Sequence, residues 1–119
     1  MDLKVLSIHN HGDASAEYVL LEVVNDCNVK YYTLADTTYA TGGGISNRLR
    51  HFFWFPPKDV KAGELVILRT GKGTNDTFRN TNGKTVHRYY WNLGNAVWNN
   101  TGDAAVLMQL RSWNTTKAR

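Results

Sequence analysis

The chain has 119 residues, a length that suits one domain, and its 42% hydrophobic and 20% charged content excludes a disordered polymer. Fourteen Lys and Arg against ten Asp and Glu leave a net charge of +4, which permits an anionic partner without demanding one. The single cysteine excludes an internal disulfide, and no apolar run approaches the ~18 residues of a membrane-spanning helix.

The opening Met1-Asp2-Leu3-Lys4-Val5 lacks the basic-then-apolar pattern of a secretory leader. The chain is therefore expected in the cytoplasm, or outside the cell if it is a domain cut from a longer secreted protein. His9-Asn10-His11-Gly12-Asp13 places two imidazoles two residues apart with a carboxylate nearby. That is metal-ligating chemistry, but no further ligand is placed by sequence, so the expectation is a solvated turn and no metal. Glu17 to Asn25, EYVLLEVVN, is apolar on both faces and predicts a strand lying centrally between packed layers. Asn25-Asp26-Cys27-Asn28 predicts a hairpin turn into a second strand, Val29 to Asp36. Cys27 has no thiolate-stabilising neighbours in sequence and is expected to be a half-buried small side chain. Thr37 to Arg50, with Gly42-Gly43-Gly44, predicts a mobile loop.

His51 to Pro57, HFFWFPP, predicts a short aromatic strand stopped by proline, which cannot donate to a ladder. Ala62-Gly63 predicts a turn, followed by a strand from Glu64 to Arg69. Thr70 to Thr85 is long and polar and predicts a loop. Its Gly71-Lys72-Gly73 lacks the spacing and following helix of a phosphate-binding loop. A strand is predicted within TVHRYYWNLG. Trp98-Asn99-Asn100-Thr101-Gly102-Asp103 predicts a bend, with turn formers, a carboxylate to hold it closed and an aromatic anchor, but no base or nucleophile. The last strand follows, with Val106, Met108 and Leu110 on one face and Gln109 and Arg111 on the other. Residues 1–111 are expected to form the domain and 112–119 a flexible tail.

Strand-like runs separated by turns, with no helical periodicity, predict an all-β sandwich or barrel. The order of EYVLLEVVN, YTLAD, FFWFPP, VKAGELVILRTGKG and NAVWNNTGDAAVLM resembles the lamin tail domain, from about Leu3 to Leu110. The most specific pieces are Ala62-Gly63-Glu64 with Thr70-Gly71-Lys72-Gly73, and Val97-Trp98-Asn99-Asn100 with Gly102-Asp103. The resemblance implies an immunoglobulin-like two-sheet sandwich, no enzymatic activity, no cofactor, and protein or DNA partners. Two stretches depart from the pattern. Tyr31-Tyr32 stands where the family has Gly-Trp, and Arg111-Ser112-Trp113 begins a tail where members often continue into a small hairpin.

No catalytic triad or carboxylate pair is suggested by the spacing of Ser, His, Asp and Glu. Basic residues interleaved with aromatics, as in NRLRHFFWF and KTVHRYYW, are the chemistry of single-strand binding, although in a sandwich alternate rings belong to the core. The candidate binding residues are Arg48, Arg50, Lys72, Arg79, Lys84 and Arg88. The expected function is a non-catalytic interaction module that binds a protein through loops or an edge strand. The alternative is DNA or RNA binding by the basic loops, and an aromatic edge would also allow a homo-oligomer.

Overall fold

A computed structural model describes residues 1–38, 44–98 and 102–118. The expected mobile loop at Gly42-Gly43 and the Asn99-Asn100-Thr101 part of the bend lie outside the described residues.

Among the described residues ten strands follow in order: β1 (Leu3–His9), β2 (Tyr18–Val23), β3 (Cys27–Asn28), β4 (Tyr32–Thr38), β5 (Phe52–Trp54), β6 (Asp59–Val60), β7 (Leu65–Arg69), β8 (Asp76–Arg79), β9 (Thr85–Tyr90) and β10 (Asp103–Gln109). The only helical element among the described residues is a 3-10 turn at Val29–Tyr31. The fold is an all-β sandwich. One sheet runs β1-β2-β7-β9-β8 and the other β10-β4-β5, with β3 and β6 forming a short ribbon. Among these ten strands the pairings are antiparallel except that of β7 with β9.

The core is filled from both sheets. Leu3, Val19, Leu21, Val23, Val66 and Leu68 come from the larger sheet, and Tyr32, Leu34, Phe55 and Trp98 meet them. The side-chain period of two decides which residues these are. In β5, Phe53 turns inward while Phe52 and Trp54 turn out; Phe55, just beyond the strand, is also buried.

Several expectations are corrected. β2 is central within its sheet, but only Val19, Leu21 and Val23 are fully covered; Tyr18, Leu20 and Glu22 are half-buried. Neighbouring side chains on the outer face shelter these residues, with no second layer needed. Asn25 to Asn28 is no hairpin: β2 pairs with β1 and β7, and β4 pairs with β10 and β5. The segment instead crosses between sheets, and Cys27 and Asn28 pair with Val60 and Asp59. The following strand begins at Tyr32, because the Asn28 side chain caps the Lys30 amide and winds Val29–Tyr31 into a turn. The polar stretch from Thr70 to Thr85 is not all loop. It contains β8, which pairs with β9 through a turn closed by the Asn80 carboxamide. In β10, Ala105 and Leu107 pack against the core, while Val106 and Met108 lie on the half-buried opposite face.

Candidate interaction surface

The buried polar groups are committed to architecture. Glu17 is fully buried, and its carboxylate accepts from the Gly12 amide at 3.0 Å, the Val97 amide at 2.9 Å, the Trp98 amide at 3.3 Å and the Thr70 hydroxyl. One side chain thus ties three loops together and delivers Trp98, 1% exposed, into the core. Asp103 contributes from the other side of the bend. It accepts from Arg50 Nη2 at 2.6 Å, and the same nitrogen lies 3.1 Å from Asp36. Both carboxylates are shielded from solvent, and the Asp103 hydrogen bond pushes the Arg50 pKa above its ordinary value. Asp36 also accepts from the His51 amide and contacts His51 Nδ1 at 2.9 Å.

A second, partly buried pair joins His87 Nε2 to Glu64 at 2.8 Å. Burial alone would raise the Glu64 carboxyl, but hydrogen bonds from His87 and the Lys61 amide, with the charges of both residues, hold it below its ordinary range. The Cys27 thiol is pushed up by burial and by Asp2 and Asp26, which favours the unreactive form. His9 bonds Ser7 at 2.7 Å and stacks on Tyr18, and no group of metal-ligating side chains occurs among the described residues.

The six candidate basic residues are spread over four parts of the fold. Arg48 and Arg50 lie in the segment docked against β4, and Arg50 is engaged by the two carboxylates. Arg79 and Lys84 flank the β8–β9 turn, where Arg79 donates to the Gly83 carbonyl. Arg88 forms a two-pronged pair with Asp76. Lys72 is exposed beside Ala14, Ser15 and Leu93.

Two aromatic features stand out instead. The first crosses the outer face of the larger sheet. His9, Tyr18, Arg69 and Tyr90 are partners in one cross-strand row, and Arg88, two residues before Tyr90 on β9, reaches from it to Phe78 on β8. His9 stacks on Tyr18 at 4.7 Å and 11°, and Arg69 lies 5.0 Å over Tyr18. Arg88 lies 4.6 Å from Phe78 and 5.8 Å from Tyr90. The ring faces are covered by cations or by another ring, so the row stabilises the sheet and offers little to a ligand.

The second feature is open. On β5, which edges the smaller sheet, Phe52 is 51% and Trp54 46% exposed. Tyr31 and Trp113 join Trp54. The two indoles meet at 4.9 Å and 83°, and Tyr31 meets Trp113 at 5.8 Å and 55°. The two indoles sit at an apolar cleft of about 340 Å³, walled also by Phe55, the two prolines and Lys30, and Lys30 Nζ lies 5.2 Å over the Tyr31 ring. Trp54 Nε1 donates to the Lys30 carbonyl at 2.8 Å, which fixes the indole.

Sequence reasoning missed Tyr31 and Trp113, because each gains its neighbours only through tertiary contact. The tail is exposed and without regular structure from 112 to 118, yet its Trp113 ring is packed on the domain. A scan against models of known protein families and a search of curated proteins return no match.

Proposed function

We propose that the chain is a non-catalytic interaction module of the lamin tail type, and that it recognises a protein partner by strand addition at β5. The observation that carries this reading is an edge strand whose outward residues, Phe52 and Trp54, are large and half-exposed. Hydrogen bonds from Asp36 to the His51 carbonyl and from the Phe55 amide to Tyr32 bracket β5. By antiparallel alternation the main chain of Phe52 and Trp54 then faces away from β4. The Phe52 carbonyl already accepts from Trp91 Nε1 at 3.2 Å, so an incoming extended segment gains its backbone hydrogen bonds at the Phe52 amide and the Trp54 main chain and places its side chains against the two rings. The buried polar clusters support the non-catalytic part, since Glu17, Asp36 and Asp103 accept bonds from this chain's own groups. Binding of nucleic acid by the basic loops has less behind it, because Arg50 and Arg88 are held by carboxylates.

The test is selection of peptides from a displayed random library on the folded domain, followed by mapping of amide protection. The expected peptides protect the Phe52 and Trp54 amides. Phe52→Pro, which removes an edge donor while leaving the pairing to β4, weakens them by at least tenfold at unchanged stability. Peptides that protect other amides and ignore Phe52→Pro would remove the reading.

A further inference from the structure

We infer that the cleft between Trp54 and Trp113 seats a proline-bearing segment of the protein partner. The inference rests on the reading of β5 as a docking edge for its choice of a peptide, and it names the chemistry of that peptide. The main chain of β5 supplies the first argument. Phe55 donates to the Tyr32 carbonyl, so by alternation the next position facing away from β4, after Phe52 and Trp54, is residue 56. That residue is Pro56, and Pro57 follows it. Neither has an amide N–H, so the ladder offered to a partner stops at Trp54. Past that point a partner is held by side-chain contact. The cleft lies there, walled by the two indoles, Phe55 and both prolines.

The polar groups around the cleft supply the second argument. Trp54 Nε1 donates to the Lys30 carbonyl, and the Lys30 amide donates to the Asn28 side chain. The Lys30 ammonium lies 5.2 Å over the Tyr31 ring. No carboxylate side chain lines the cleft among the described residues. The lining is therefore mainly apolar, and a charged or amide-rich group entering it would lose water without replacement. Proline is the peptide residue that loses least, because it has no N–H to strand and its ring is apolar. The shape of the walls agrees. The two indoles stand at 83° to one another with centroids 4.9 Å apart, and both are exposed. They make a corner in which a proline ring packs on the face of one and the edge of the other. The bond to Lys30 fixes Trp54 before binding, and proline-rich segments arrive already extended, so little freedom is lost on either side.

The experiment is titration of the whole chain with a capped hexaproline peptide, followed by the indole N–H signals of Trp54 and Trp113 in nuclear magnetic resonance spectra. Saturable shifts of those two signals are expected, with the same affinity at low and high salt. Trp113→Ala should weaken binding by about tenfold or more at an unchanged thermal midpoint, since Trp113 lies outside both sheets. Phe52→Pro should leave hexaproline binding unchanged, because it alters main-chain pairing and not the cleft. Failure of strand addition shows at Phe52 and failure of this inference at Trp113, so the two are told apart. Indole signals that do not move overturn the inference. So does equal binding of a capped glycine–serine hexamer, and so does hexaproline binding that is indifferent to Trp113→Ala. Salt-sensitive binding of oligothymidylate at the same two signals, with hexaproline inert, would assign the cleft to a nucleic acid instead.

Discussion

Glu17 accounts for more of the architecture than any other polar side chain. It is fully buried, and its carboxylate accepts from four loop positions: Gly12, Thr70, Val97 and Trp98. Glu17→Ala strands these donors in the interior and is expected to cost on the order of 4 kcal/mol in a denaturant titration, whereas Glu17→Gln keeps an acceptor and costs less. Tyr89 is the opposite case. Its ring packs against Phe55 and Phe53, but its buried hydroxyl finds no partner among the described residues. Burial pushes its pKa from 10.0 up to about 12. The unfolded chain then releases this proton before the folded one does, so the contribution is intact below pH 10 and is lost as pH rises toward 12. Tyr89→Phe is expected to raise stability by about 1 kcal/mol at neutral pH and to flatten the alkaline decline. Thermal melts across the alkaline range would show both.

At the level of elements, the strands that reveal themselves in sequence are those with one apolar face or a proline stop. β5, β7, β9 and β10 were legible for that reason. β8 was not, because Asp76-Thr77-Phe78-Arg79 is polar and its pairing comes from β9 alone. The crossover at Asn25 to Asn28 was hidden for a related reason: turn residues mark a change of direction and not the identity of the next partner. The row on the outer face was equally hidden, since His9, Tyr18, Arg69 and Tyr90 are far apart in the chain and meet only through strand register. Arg69→Ala is expected to destabilise the fold by about 1 kcal/mol through its contact with Tyr18. A double-mutant cycle with Tyr18→Leu should return most of that as coupling, and independent effects would mean that the row is only a coincidence of register.

For the molecule as a whole, these features divide the side chains into two sets. Glu17, Asp36 and Asp103 face inward and hold loops against the sandwich, with Arg50 bridging the last two. Phe52, Trp54 and Trp113 face outward at one edge of the smaller sheet and contribute little to the core. Buried carboxylates held by this chain's own donors, with exposed rings gathered at one edge, fit the proposed recognition of a partner at that edge. The most direct test is a substitution series across both sets, with stability and affinity for an edge-selected peptide measured on the same samples. Changes at Glu17, Asp36 and Asp103 should lower the unfolding midpoint and leave affinity per folded molecule unchanged, while Phe52→Ser and Trp54→Ser should abolish binding at an unchanged midpoint. Binding lost at Asp36 or Asp103 in a fully folded protein, with Phe52 and Trp54 indifferent, would contradict the account.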